Sequence, residues 1–255
     1  MGGTEAAQNP IPLMLHTFGH RGNRVLLLLH GIGAGHRLWR RQIERFQSTH
    51  FVVAPDLPAL TGPATGAPAD IVEIATRLER ALRQQSIDRF SVCGISAGAS
   101  VALALAPRMS GGIDHLILSA PQVRAPRPAL GLQIALCQAM PERMLLRTVA
   151  QLYRGDREIA EVARADCEAL GKSGLLRAMR ALWKLDLRPE LPRITAPTFV
   201  FCGSRDRANI PAARAVAATI PGASLRIEPG VGHLWNVDAA AQFNDAVASV
   251  LADVN

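Results

Sequence analysis

The 255-residue sequence predicts an α/β fold: one domain with a mostly parallel sheet, helices on both of its faces, and a single helical insertion. Three observations predict it. Short apolar runs alternate with amphipathic stretches through most of the chain. The runs lack the polar alternation of a half-exposed strand, so they read as strands buried on both faces. One long stretch, from about Pro121 to Arg193, holds helical patterns only.

In chain order, an edge strand near Leu13 to Thr17 is expected to run antiparallel to its neighbour. Val25-Leu26-Leu27-Leu28-Leu29 and Phe51-Val52-Val53-Ala54 follow as buried strands. Phe90-Ser91-Val92-Cys93, His115-Leu116-Ile117-Leu118, Thr198-Phe199-Val200-Phe201 and Ser224-Leu225-Arg226-Ile227 repeat the pattern. Trp39, Ile43 and Phe46 share one helical face, as do Ile71, Ala75, Leu78 and Leu82, and later Ala240, Phe243, Val247 and Val250. Pro58 to Asp70 is rich in Ala, Gly, Pro and Thr and reads as a loop. Prolines 121, 126 and 128 open the helical stretch, and prolines 189, 192 and 197 close it. The expected division is a core of residues 1–120 and 194–255, with 121–193 inserted as a cap of three or four helices.

Composition narrows the function. With 49% apolar residues, a chain of this length can bury a large core without disulfides or a structural metal. No apolar run approaches the roughly 20 residues that cross a bilayer. Met1 to Pro10 has neither the basic start nor the apolar stretch of a secretory leader. Cys93, Cys137, Cys167 and Cys202 form no CxxC pair and have no histidine partners at zinc spacing. The expectation is a cytoplasmic protein with no membrane partner, no metal and no cofactor. The net charge of +7 raises the question of nucleic acid. All but two of the 28 basic residues are arginine; they are scattered without a block, and the chain has one tyrosine. Five of the seven net charges fall within 121–193, on faces that water can solvate. No nucleic-acid partner is expected.

The chemistry gathers in four strings. Gly94-Ile95-Ser96-Ala97-Gly98 sits between a buried strand and a helix of small residues, Ala99 to Ala106. A serine on a sharp strand-to-helix turn needs near-absent side chains two positions either side, which Gly94 and Gly98 supply. Serine is a poor nucleophile without a base, and the base needs an orienting carboxylate. Asp206 follows the strand Thr198–Phe201, and His233 lies in a glycine-rich loop after the strand Ser224–Ile227. In a parallel sheet both loops emerge at the edge that carries Ser96. Asp56 and Asp238 are the fallback acids. The fourth string, His30-Gly31-Ile32-Gly33-Ala34-Gly35, follows the strand Val25–Leu29. Gly31 lets the main chain turn close to a reacting atom, so the N–H groups of Ile32 and Ala97 would form an oxyanion hole. The spacing fits neither phosphate-binding glycine motif. His30 reads as a structural hydrogen-bonder rather than a base.

On His30-Gly31-Ile32-Gly33, Gly94-Ile95-Ser96-Ala97-Gly98, Gly203-Ser204-Arg205-Asp206 and Gly232-His233, the chain resembles the α/β-hydrolase fold superfamily from Leu13 to the C-terminus. The resemblance implies an eight-stranded sheet with a helical cap inserted after the sixth strand. It also implies Ser96 as nucleophile, Asp206 as acid and His233 as base. Ala59-Leu60-Thr61-Gly62-Pro63 departs from the glycine-rich, serine-ended loop usual after Ala54-Pro55-Asp56-Leu57-Pro58, and Pro211 comes one position late after the acid. Serine at the elbow argues, within that family, against epoxide opening and halide displacement. The expected activity is hydrolysis of a carboxylic ester or lactone through an acyl-enzyme at Ser96. A carbon–carbon hydrolase or thioesterase would use the same triad, and a slow receptor-like ligand binder is the reading outside catalysis. Apolar cap residues such as Leu130, Leu132, Leu175, Met179 and Trp183 suggest a small-molecule substrate with a hydrophobic part, although more than half of them are expected to pack between cap helices.

Overall fold

The computed structural model describes residues 13–61, 70–124, 127–153 and 156–252. Among them are seven strands: β1 (Met14–Phe18), β2 (Val25–Leu29), β3 (Phe51–Asp56), β4 (Phe90–Ile95), β5 (Ile113–Ser119), β6 (Thr198–Gly203) and β7 (Ser224–Glu228). They form one sheet in the order β1-β3-β2-β4-β5-β6-β7. β1 pairs antiparallel with β3, and all other pairings are parallel. The α/β class and the antiparallel edge are as the sequence predicts. The implied count of eight strands is not met among the described residues, and the helical insertion follows the fifth of the seven. Residues 1–12 and 62–69 lie outside the described residues, and with them most of the expected Pro58–Asp70 loop.

The apolar runs of β2 to β6 are buried on both faces because side chains alternate along a strand. β7, expected to match them, is instead a largely exposed edge strand paired only with β6. Leu27, Leu29, Val53, Val92, Leu116 and Val200 join one core cluster with α2 (Ile71–Gln84), α3 (Ala97–Leu105) and α7 (Ile210–Thr219). Leu26, Leu28, Val52, Cys93, Ile117 and Phe201 join the other, with α1 (Arg40–Phe46), α8 (Trp235–Asp238) and α9 (Ala240–Ala252). Leu26 to Leu29 are at most 1% exposed, and each contributes roughly 1.5–3 kcal/mol by leaving water. α2 starts where the Asp70 side chain accepts the Val72 N–H at 2.8 Å, and it buries Ile71, Ile74, Ala75, Leu78 and Leu82. α7 and α8 go beyond the sequence reading. The alanines of α7 give little amphipathic contrast, and the four residues of α8 are too few to show a period.

Between β5 and β6 the chain is helical: α4 (Arg127–Ala139), α5 (Glu142–Ala150) and α6 (Arg157–Lys184). α6 breaks its dihedrals at Gly171 (φ 65°, ψ 171°), so it runs as two helical pieces. Leu130, Ile134, Leu145, Leu175, Leu176 and Met179 pack together between these helices, while Leu132 and Trp183 are exposed. The two ends of the segment are pinned to each other. The Leu187 N–H donates to the Val123 carbonyl at 2.9 Å, and Arg124 and Asp186 form an antiparallel bridge.

The cysteines are free, and three are buried. Burial pushes the Cys167 and Cys202 thiols up to about 12 and lifts Cys93 further, so none is a thiolate at neutral pH. Cys137 is only half-buried; burial raises its thiol, against the pull of Lys172. Iodoacetamide at pH 8 should therefore alkylate the native protein at Cys137 first and reach the other three only after denaturation, as peptide mass spectrometry would read. Early modification of Cys93 would contradict this packing.

Candidate active site

Ser96 follows β4 and immediately precedes α3 with φ 55° and ψ −121°, a backbone that costs a non-glycine residue about 1–3 kcal/mol. The surroundings force it. The Ser96 N–H donates to the Ser119 carbonyl at 2.9 Å, and the Ser96 carbonyl accepts the Ser100 N–H at 3.1 Å. A Cβ on Gly98 would lie 2.1 Å from the Leu29 carbonyl oxygen and 2.5 Å from that of His30. Any side chain there would drive the turn off β2. A Cβ on Gly94 would meet the Gly98 carbonyl oxygen at 2.6 Å. Ala97 is the first residue of α3, so its N–H has no partner inside the helix and is free to face a ligand.

The loop after β2 runs beside this turn: a Cβ on Gly31 would be 3.5 Å from Ser96 Cβ and 3.9 Å from its Oγ. His30 holds that loop. Its ring is fully buried, and the Leu57 N–H donates to Nε2 at 2.9 Å, which makes Nδ1 the protonated nitrogen. Nδ1–H then donates to the Gly31 carbonyl at 2.8 Å. A trans peptide points its N–H opposite to its C=O, so this bond aims the Ile32 N–H away from His30. His30 is the structural hydrogen-bonder that the sequence suggests.

Asp206 and His233 come together because their loops are laced to each other. The Ser204 N–H donates to the Glu228 carbonyl at 2.8 Å, and the Arg205 N–H donates to that of Val231 at 3.0 Å. Gly203 makes the approach possible, since a Cβ there would sit 2.5 Å from two carbonyl oxygens of the His233 loop. His233 Nδ1 lies 2.6 Å from Asp206 Oδ2, with the acid buried and the imidazole partly open. Beyond His233, Trp235 is wholly buried; its indole donates to Ser119 Oγ at 3.0 Å and contacts Phe201 and Phe243 edge-on. Ser96, Asp206 and His233 thus follow β4, β6 and β7 at the carboxyl edge of parallel strands. Of the fallback acids, Asp238 lies in α8, and Asp56, at the end of β3, hydrogen-bonds His16 and His36 instead.

Two residues escaped the sequence reading. Asn209 Nδ2 donates to both carboxylate oxygens of Asp206, at 2.7 and 2.9 Å, and its Oδ1 accepts from Gln122 Nε2 at 2.8 Å. Asn209 precedes α7, whose first turn contains a proline; that context reads as an ordinary helix cap, yet its side chain does not cap the helix. The signal was the Asp-x-x-Asn spacing. Asp166 projects from α6, where its Oδ2 accepts the Gly35 N–H at 3.0 Å and its Oδ1 accepts from Arg37 at 2.5 Å. The neighbouring Cys167 thiol donates to the Gly33 carbonyl at 3.1 Å. The inserted helix therefore grips the loop that carries Ile32, and nothing in an amphipathic helix pattern announces such a long-range contact.

The buried His30 ties stability to pH. Desolvation lowers its pKa below the ordinary 6.5, against the smaller pull of its bond to Gly31 and of Asp56 and Asp166, so the folded state keeps the ring neutral. Below pH 6.5 the unfolded chain binds a proton that the native state refuses. Stability is full above that pH and falls as pH drops, by up to about 1.4 kcal/mol per unit for one proton. Half-buried His50 acts in the same direction. Asp56, held well below the carboxylate range, adds its loss only under about pH 4. Urea melts between pH 7 and 5 should show a shallower slope for His30→Gln than for the wild type; equal slopes would remove His30 from the account.

Comparison with known proteins agrees with this architecture. Structurally, the chain is similar to a hydrolase from Pseudomonas aeruginosa PA01 (TM-score 0.81, 24% identity, 94% of each chain covered). It is also similar to the enol-lactonase from Burkholderia xenovorans LB400 (TM-score 0.83, 23% identity, 94% of this chain and 96% of that one). In sequence it is 28% identical over 251 residues to a putative carbamate hydrolase, RutD, from Shigella flexneri serotype X (strain 2002017), covering 90% of this chain and 92% of that protein. Residues 26–246 match the alpha/beta hydrolase family, nearly the whole described fold and all three edge residues included. With a mostly parallel sheet, a serine on the strand-to-helix turn after β4 and a histidine–carboxylate pair in the loops after β6 and β7, the chain belongs to the alpha/beta hydrolase family and is a hydrolase.

Proposed function

We propose that this enzyme cleaves a carboxylic ester or lactone through an acyl-enzyme on Ser96. The observation that carries the reading is the 2.6 Å contact between His233 Nδ1 and Asp206, at the sheet edge where Ser96 occupies a strained turn. Asp206 holds the proton of His233 on Nδ1, which leaves the Nε2 lone pair to act as the base. Ser96 Oγ attacks the carbonyl carbon while its proton passes to Nε2. The carbonyl π electrons move onto oxygen, and the N–H groups of Ile32 and Ala97 stabilise that charge. The oxyanion then re-forms the carbonyl and expels the alkoxide, which takes the proton back from Nε2. Water repeats the sequence on the acyl-enzyme and frees Ser96. Asp206 stabilises the imidazolium in both halves, and Asn209 keeps the carboxylate in line. No cofactor enters.

Residues 121–193 act as a cap over the core formed by 1–120 and 194–255. Ile32 supports this role, since its side chain packs against the apolar cluster of the inserted helices. The substrate is then a small molecule whose hydrophobic part lies under those helices. Carbamates belong in the test panel because the same acyl chemistry cleaves them and the curated relative is named for them.

Ser96→Ala should lower ester turnover by about 10⁴-fold or more while the thermal melt stays close to the wild type, leaving the contribution of the oxyanion hole. A folded variant that kept more than about 10% of the activity would overturn the nucleophile, since triad losses are far larger. The wild-type kcat/KM should climb with pH through one ionisation and then level, because only neutral imidazole accepts the serine proton. A falling profile would contradict the base. Asn209→Ala should reduce kcat on the order of tenfold to a hundredfold with KM little changed, as expected of misaligned catalytic groups. A change confined to KM would place Asn209 in substrate binding instead.

A further inference from the structure

We propose that His16, His36 and Asp56 form a binding site for one divalent transition-metal ion of the zinc class. The sequence leads to no expectation of a metal site, because the cysteines form no CxxC pair and have no histidine partners at zinc spacing. Folding makes one from three separate segments. His16 lies on the edge strand β1, His36 begins the helical turn before α1, and Asp56 ends β3. His16 Nε2 is 2.9 Å from Asp56 Oδ2, and His36 Nδ1 is 3.0 Å from Asp56 Oδ1. One donor atom from each residue can be chosen so that all three lie within 4.8 Å of one another. Around an ion with bonds of about 2.0–2.2 Å, tetrahedral ligand atoms stand roughly 3.3–3.6 Å apart, so small side-chain rotations close the set.

The donors are of the right kind and are held in place. Two imidazoles and one carboxylate suit zinc, nickel, copper or iron rather than calcium or magnesium. The His36 backbone N–H donates to Asp56 Oδ1 at 2.7 Å, which fixes the carboxylate from behind. The imidazole rings stack with centroids 3.6 Å apart and planes 18° from parallel. Rotation about the ring bonds fans them so that both lone pairs meet one ion, each ring moving its proton to the other nitrogen or to water. All three side chains are 20–30% exposed, which admits an ion and leaves a fourth position for water. Nearby cations do not compete, since Arg37 pairs with Asp166 and Arg40 with Glu44 and Glu158.

Such an ion would join the sheet edge to the loop that carries Ile32. A Cβ on Gly35 would lie 2.9 Å from Asp56 Oδ1, so the ligand set touches that loop directly. Its role is to brace, because serine chemistry needs no metal, and the proposal stands apart from the choice of substrate.

The test uses the tag-free protein stripped with chelator and titrated with Co²⁺, followed by visible absorption, and with Zn²⁺ in calorimetry. The expected result is one ion per chain, a raised melting temperature in the wild type, and affinity at least about tenfold weaker in both His16→Ala and His36→Ala. Melts without metal establish that each variant folds, and His16→Ala on the edge strand is the gentler change. No stoichiometric uptake, undiminished affinity in both folded variants, or a thiolate-type cobalt spectrum that disappears in Cys137→Ser would each overturn the site.

Discussion

The rest of the site depends on a steric constraint at the end of β4. The turn through Ser96 brings Gly98 so close to β2 that the carbonyls of Leu29 and His30 fill the space a side chain would need. This contact joins the serine to the loop after β2, so the two cannot move independently. Hydrogen bonds to Ser119 and Ser100 hold the Ser96 backbone where local sterics would not leave it. A reaction that needs an oxygen nucleophile and two N–H donors around one carbonyl gains from such a lock, because the geometry exists before substrate arrives.

Around this lock, other contacts work from outside. His30 turns the Gly31 peptide from within the core, and Asp166 and Cys167 grip the same loop from the inserted helices. Anything that shifts α6 therefore shifts the loop beside Ser96. On the far side, the loops after β6 and β7 are zipped by main-chain hydrogen bonds, and Asn209 fixes the carboxylate between them. The sheet supplies stiffness, and the loops at its carboxyl edge supply function.

What the sequence could reveal follows from which signals are local. The strands of the sheet were legible because a parallel strand buried on both faces leaves a continuous apolar run, as in Leu26–Leu29. The elbow was legible because its crowding demands glycine two residues either side of Ser96, Asp206 because it closely follows the buried strand β6, and His233 because it lies in a glycine-rich loop after β7. Asn209, Asp166 and the His16–His36–Asp56 cluster were not, since each owes its role to partners far away in the chain. Asn209 sat in a context that also explains a plain helix cap. The strand count differed because eight came from the family likeness, whereas the described residues carry seven apolar or edge strands of their own.

The most direct test of the lock is the crystal structure of the protein after reaction with a small alkyl fluorophosphonate. The account predicts phosphorus bonded to Ser96 Oγ, with one phosphoryl oxygen about 2.7–3.1 Å from the N–H nitrogens of both Ile32 and Ala97. The Ser96 backbone should stay near its present dihedrals. An adduct on another residue, or a phosphoryl oxygen turned away from both amides, would contradict it.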